Sequence, residues 1–418
     1  MKVLLKKSTI LDPSSEYHGQ TIDVYIENGI IEKIDSNIKK SADYTFENLS
    51  LSPGFFDLNA HFNEPGGEHK EDLKSGSKCA LFSGFTDVCV LPNTEPVIES
   101  KSDVRYIQQG HAEEGINLWA IGAVSEGCKG ENLSEILDLQ NAGAVAFSDG
   151  LNPIWNTELL LKSLQYVQKF DGLVITRPKD VHLSQFAQMH EGKASTILGM
   201  NGEPSLSEEI AIKRDLEILR YAGGRLHFSL ISTAEGISLI NKAKKDGLLV
   251  TCDVAIHQLF YTEDDLTDYN SNFKVDPPFR SEKDRKALIR GVQTGVIDAI
   301  VSAHNPQDPE SKDLEFDLAT PGICSLPTFY SDLIKLSSQI DIGVLIDRVT
   351  KGPRRILQMN PVIIEEGAQA KLALFAPEEK WTFDMSTNPS KSVNSPQYGE
   401  EITGKCIGVI NGDVIRKN

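Results

Sequence analysis

Apolar and polar positions follow two different rhythms along the 418 residues. From residue 1 to about 50 the rhythm is that of short strands: Val3-Leu-Leu5, Ile22-Asp-Val-Tyr-Ile26 and Ile30-Ile-Glu-Lys-Ile34, with Glu27-Asn28-Gly29 as a hairpin turn. Near the other end Lys371-Leu-Ala-Leu-Phe375, Cys406-Ile-Gly-Val-Ile410 and Val414-Ile415 repeat that texture around turns at Gly367, Gly404 and Asn411-Gly412. Two β segments at opposite ends most simply form one small β domain. The pattern therefore predicts a domain built from 1–50 together with 355–418.

Between them, over 51–354, strand, polar loop and helix alternate. Strands are predicted at 54–58, 86–91, 117–122, 144–148, 172–176, 225–230, 248–254 and 297–302. Helices are predicted at 70–83, 101–114, 132–141, 157–169, 206–221, 234–245 and 281–294. The last has a clear amphipathic stripe, with Ala287, Leu288 and Val292 set against Arg285, Lys286 and Arg290. Eight parallel-type strands alternating with helices predict a (β/α)₈ barrel. A doubly wound open sheet is the other arrangement of such a pattern, but no Gly-x-Gly-x-x-Gly follows the first strand.

In a barrel, chemistry belongs where the strands end. The first barrel strand, in Leu51-Ser-Pro-Gly-Phe-Phe-Asp-Leu-Asn-Ala-His61, closes on Asn59 and His61, two residues apart and so on one side. Two imidazoles there would make a pair of metal ligands, and one of the two is an amide. Later strand ends carry Asn93, Asp149, Arg177, Leu230 with Ser232-Thr233, and Ala303-His304. His61 reads most simply as a hydrogen-bonded core histidine, and His227 and His257 as structural.

Composition narrows the field rather than naming a function. A net charge of -18 argues against a nucleic-acid or anionic-membrane partner. The six cysteines form no Cys-x-x-Cys pair, and several stand in apolar runs, which predicts buried free thiols. The start, Met1-Lys-Val-Leu-Leu-Lys-Lys, is too short for a signal peptide and no apolar run is long enough to span a bilayer, so a cytoplasmic location is expected.

The motifs taken together resemble a known family. Pro53-Gly-Phe-Phe-Asp57 leading to His61, Pro65 and Gly66, then Gly84-Phe-Thr86 and Leu91-Pro-Asn-Thr94, are similar to dihydroorotase of the amidohydrolase superfamily. The likeness continues through Ala146-Phe-Ser-Asp-Gly150, Ser232-Thr-Ala-Glu-Gly236, Lys274-Val-Asp-Pro-Pro-Phe-Arg280 and Asn394-Ser-Pro-Gln-Tyr-Gly399. The resemblance implies a zinc-centred barrel with a small β domain and the reversible cyclisation of carbamoyl-aspartate to dihydroorotate in pyrimidine synthesis.

The residues that would carry that reaction depart from the family pattern. Where it has His-x-His-x-Arg-x-Pro-Gly, this chain has Asn59-Ala-His61-Phe-Asn63-Glu-Pro-Gly. Arg177 and Leu230 stand where ligand histidines are expected, Ala303 in place of the catalytic aspartate, Gln307 in place of a histidine, and Asp276-Pro-Pro in place of Asn-Pro-Pro. Only His61 and Asp149 are left of the implied metal shell, with Asn93 from the substrate shell and His304 beside the missing aspartate. One imidazole and one carboxylate are too few for a catalytic zinc, so no metal, no cofactor and no catalytic residue are expected. A permanently charged Arg177 from the neighbouring strand is expected to pair with Asp149 and fill the vacated centre.

Three functions follow. The first is a non-catalytic homologue that acts as structural partner of aspartate transcarbamoylase and forms a homo-oligomer, as the resemblance implies. The second is an active zinc-dependent dihydroorotase or cyclic amidohydrolase with an altered site, recruiting His304, Asp276 or His257. The third is a binding module that holds a small carboxylate or ureido ligand with Arg177 and Asn93.

Overall fold

The computed structural model describes residues 1–109, 114–266 and 268–418. The first strands are β1 (Lys2–Ile10), β2 (Thr21–Glu27), β3 (Ile30–Asp35), β4 (Tyr44–Glu47) and β5 (Ser50–Pro53). Five more follow with parallel pairing: β6 (Phe55–Ala60), β7 (Phe85–Val90), β8 (Asn117–Gly122), β9 (Ala146–Phe147) and β10 (Leu173–Thr176). A short separate pair, β11 (Met189–His190) and β12 (Gly202–Glu203), interrupts the run. Then come β13 (Arg225–Phe228), β14 (Val250–Ala255) and β15 (Ala299–Val301), and last β16 (Lys371–Thr382), β17 (Glu401–Asn411) and β18 (Val414–Lys417).

Strands β6 to β10 and β13 to β15 form one parallel eight-stranded sheet. It curls until its edges meet: Ala60 and His304 form a parallel bridge, and the His61 N–H donates to the His304 carbonyl at 2.8 Å. This is the (β/α)₈ barrel, and its interior is filled by Phe56, Leu58, Cys89, Ile121, Ile175, Val301 and their neighbours. The other eight-stranded sheet has the order β18-β17-β16-β5-β1-β2-β3, with β4 on β1, so both ends of the chain build it. Strand β5 belongs to this terminal sheet through Pro53, and the step into the barrel falls at Gly54 rather than before Leu51.

Several of the helices outside the barrel start where a polar side chain takes the free N–H groups of a first turn. The first, α1 (Leu73–Phe82), begins three residues later than its apolar pattern predicts, because Asp72 caps it in a reciprocal pair with Ser75. Ser100 and Asp103 do the same for α2 (Lys101–Gln108); the expected extension of this helix over 110–113 lies outside the described residues. Residues 132–135, predicted as helix, are held instead by the Ser125–Leu133 bridge and by the Ser134 hydroxyl on the Ala123 carbonyl, so α3 spans Ile136–Ala142. Then come α4 (Thr157–Val167), α5 (Lys193–Leu198), α6 (Leu206–Ala222), α7 (Ala234–Lys245) and α8 (Glu282–Thr294). Leu288, Ile289 and Val292 of α8 are buried as its stripe predicts.

Two glycines of the sequence motifs have steric causes. A Cβ at Gly54 would stand 2.3 Å from Thr86 Oγ1, and one at Gly84, where φ is +93°, would meet the Phe375 ring at 2.7 Å. That ring joins the two sheets, stacking on Tyr330 with centroids 3.8 Å apart and on Phe55 at 5.1 Å. All six cysteines are buried free thiols, and among the described residues no helix is long and apolar enough to cross a membrane.

Candidate functional site

The register of β6 against β7 slips between Asp57 and Ala60. Such a slip changes which side chains face inward. Phe56 and Leu58 fill the barrel core, yet Asn59 and His61, of the opposite parity, line a cavity at the C-terminal end of the strands. The cavity measures about 340 Å³. Arg177 follows β10, Leu230 follows β13, and Ala303 and His304 follow β15; all four line it with Asn63. The non-glycine residues Asn63, Leu230 and Ala303 all have positive φ, 58°, 59° and 49°, so the chain turns sharply at three of these strand ends.

Asn93 and Asp149, expected in the same pocket, do not line it. The Asn93 side chain bridges the Asp149 carbonyl (3.0 Å) and the Leu151 N–H (2.7 Å), while its backbone carbonyl accepts from His61. Asp149 turns its carboxylate to the end of β8, where it accepts from the N–H groups of Val124 and Ser125 and from the Ser125 hydroxyl. Burial raises the Asp149 carboxyl above the usual range, against those three hydrogen bonds.

The expected Arg177–Asp149 pair is therefore not formed. Asp149 is already satisfied by neutral donors, and Arg177 donates through Nη1 to the Leu151 carbonyl at 3.0 Å and sets Nη2 3.0 Å from Asp276 Oδ1. Lys179 Nζ lies 3.0 Å from the same oxygen and 2.8 Å from Glu203. Arg280 closes the row on Glu203 at 2.6 Å. Burial pushes the Asp276 carboxyl up, but Arg177 and Lys179 outweigh it and hold it at about 2.

Three imidazoles line the cavity: His61, His257 and His304. The His61 Nε2–H donates to the Asn93 carbonyl at 2.8 Å, and Nδ1 is closed off by the Asn305 side chain at 3.3 Å. Burial lowers the His61 ring below its ordinary value, against those two contacts. His257 is edge-on to Phe279, and burial pushes it down to about 3. His304 Nδ1 accepts from the Leu326 N–H, so its proton is on Nε2, facing Glu71 at 3.6 Å. Among the described residues the one group of three potential metal donors is Glu71, Cys79 and His304. There Ser390 and Cys79 donate to Glu71, while His304 Nε2 makes no hydrogen bond among the described residues, and burial holds the Cys79 thiol far above its usual range, so the group reads as a buried carboxylate satisfied by its neighbours.

Lys70, Asn305, Gln307 and the wall formed by 320–323 complete the cavity. Lys70 falls at the start of the predicted helix 70–83 and Asn305 next to the strand end at Ala303-His304, and no spacing marks either as a site residue. Asp276 carried a signal, since it replaces the asparagine of the family's Asn-Pro-Pro.

Comparison with known proteins agrees with this architecture. Residues 49–236 match the family model described as "Dihydro-orotase-like". The chain is 35% identical to a dihydroorotase of Acetivibrio thermocellus, over 99% of this chain and 98% of that one. It is 34% identical to a dihydroorotase of Geobacter metallireducens over the whole of both. Its fold is similar to an L-hydantoinase (dihydropyrimidinase) from Arthrobacter aurescens, with a TM-score of 0.85 at 20% identity, covering 99% of this chain and 95% of that one. A dihydropyrimidinase from Brevibacillus agri superposes with a TM-score of 0.81 at 18% identity, again over 99% and 95%. With sequence relatives matched from end to end and a (β/α)₈ barrel around the strand-end cavity, the chain belongs to the dihydroorotase-like family of amidohydrolases.

Proposed function

We propose that this chain is a non-catalytic member of its family in pyrimidine biosynthesis, working as a structural partner of aspartate transcarbamoylase. The observation that carries the reading is Arg177, a buried guanidinium ion-paired to Asp276 at a strand end where the resemblance calls for a ligand imidazole. A guanidinium has no lone pair to give and repels a dication. Zinc needs about three protein donors around one point. The donors here do not fit it: Leu230 and Ala303 offer none, and His61 has Nε2 committed to a carbonyl.

Proton transfer lacks a carrier as well. Asp276 at about 2 stays ionised and ion-paired at neutral pH, and His257 at about 3 does not take a proton there. Ala303 has only a methyl group where the family's general base would stand. The scaffold around the site is intact, with capped helices and a closed barrel. That combination leaves the surface as the part in use, and assembly with the transcarbamoylase, alongside self-association, is the role the resemblance offers for it.

The test has two arms. Zinc-loaded protein, desalted and assayed for bound metal and for dihydroorotate ring opening, is expected to hold no stoichiometric zinc and show no turnover. Both together would instead establish the active zinc enzyme. Mixing with the transcarbamoylase of the same cell, followed by light scattering, is expected to give a complex; two independent species would end the partner role.

A further inference from the structure

The cavity's hydrogen-bonding inventory is lopsided. Three of its side-chain acceptors are already in use: Asn305 Oδ1 accepts from Gln307 Nε2, Gln307 Oε1 from Lys70, and Asp276 Oδ1 faces both Arg177 and Lys179. Three of its nitrogens are not. Among the described residues Asn63 Nδ2 and Arg177 Nη2 make no hydrogen bond, the ion pair of Nη2 notwithstanding, and His257 Nδ1 has no hydrogen-bond partner. All three residues are more than nine-tenths buried, at 6%, 5% and 5% exposure. Lys70 adds an ammonium bonded only to Gln307 at 2.7 Å, with Asp308 at 3.7 Å.

Charge points the same way. In a chain of net charge -18 the cavity lining carries two permanent cations, Lys70 and Arg177, against one carboxylate, Asp276. Buried donors without acceptors are costly, and a charged acceptor removes that cost most effectively. The volume of about 340 Å³ is within the range that holds a small molecule.

We propose that the cavity binds a small oxyanion, taken up by Arg177, Asn63 and Lys70 at the strand ends. This rests on the reading that the centre holds no metal, and it goes further: the site has changed the sign of the ion it accepts. Asn93 drops out of the donor set, because both ends of its side chain are bonded within the loops. The shared chemistry is a tetrahedral or planar group of oxygens with at least one negative charge, carried on a free inorganic ion or on a small organic acid.

The probes are inorganic phosphate and sulfate, with malonate as the organic arm. Each is titrated calorimetrically into the full-length chain in chloride buffer at matched ionic strength. Saturable binding is expected. The double variant Arg177→Gln/Asp276→Asn removes cation and counter-ion together, so that no buried charge is stranded, and is expected to weaken binding by about tenfold or more. Lys70→Met, at the rim, is expected to weaken it by roughly threefold or more, and the surface control Lys335→Met to leave it unchanged. Absence of saturable binding by all three probes, or wild-type affinity in both the double variant and Lys70→Met, would overturn the proposal. Metal analysis of the same sample separates the two readings. A zinc-free chain that binds no probe sinks the oxyanion site alone, whereas stoichiometric zinc sinks the metal-free reading and this one with it.

Discussion

At the N-terminal end of the barrel Asp87 is surrounded: Arg354 lies at 2.6 Å, Lys371 at 2.7 Å, and Asn117, Trp119 and Thr86 donate at 3.0 to 3.1 Å. At the C-terminal end Asp276 takes Arg177 and Lys179, while nitrogens of Asn63, Arg177 and His257 around the same cavity have no hydrogen bond. Both carboxylates are desolvated and both are held below the usual carboxylate range by their cations. The difference lies in what remains. The set at Asp87 ties β7 to β16 and to the helix Lys351–Ile356, so it serves the scaffold, although Arg354 Nε makes no hydrogen bond among the described residues. The set at Asp276 is open, and openness in a buried site is where binding has room to act.

The comparison is broken most severely by Arg354→Met. It strands part of a buried carboxylate and is expected to cost about 3 kcal/mol or more in urea unfolding; a loss under about 1 kcal/mol would mean that the Asp87 set is not structural glue. Next comes Asp57→Asn. Asp57 is enclosed in the barrel with Ser302, and burial raises its carboxyl to about 7. Because the folded value is raised, its contribution is complete below the unfolded value of about 4 and is lost as pH rises through about 7. The wild type is therefore expected to lose stability, by a few kcal/mol in order of magnitude, between those limits. Asp57→Asn is expected to flatten that slope in melting temperature against pH, and an unchanged slope would reassign it.

A smaller effect is expected at the mouth. Arg177→Gln and Asp276→Asn, made singly and together, are expected to be non-additive by about 1 kcal/mol or more, since each single change strands the other charge; simple addition would mean the two are not a unit. Smallest is Lys70→Met, whose side chain is 23% exposed. It is expected to change unfolding free energy by less than about 1 kcal/mol, as befits a cation kept for a ligand rather than for the fold.

The barrel was legible because its strands are apolar runs bounded by polar loops, and those runs mark both the element and its burial. Asn59, His61, Arg177, Leu230 and Ala303 were legible as neighbours because strand ends converge in such a fold. The partner of Arg177 was not. Asp149 is satisfied chiefly by backbone N–H groups at Val124 and Ser125, and backbone donors leave no mark in a sequence. The slip in β6 was hidden for a similar reason, since no residue between Asp57 and Ala60 is a breaker. Lys70, read as the start of a helix, lies instead in the turn before α1 and reaches the cavity from there.

Strand β5 lies between β1 on one side and β16 on the other. A ribosome completing Pro53 has made one neighbour and not the second, and the whole barrel must be synthesised before Lys371 emerges. Throughout that interval the nascent chain presents an open sheet edge. The terminal sheet can close only once β16, β17 and β18 have been made, which makes those strands the step at which a stalled or truncated product would be exposed to aggregation and to proteolysis.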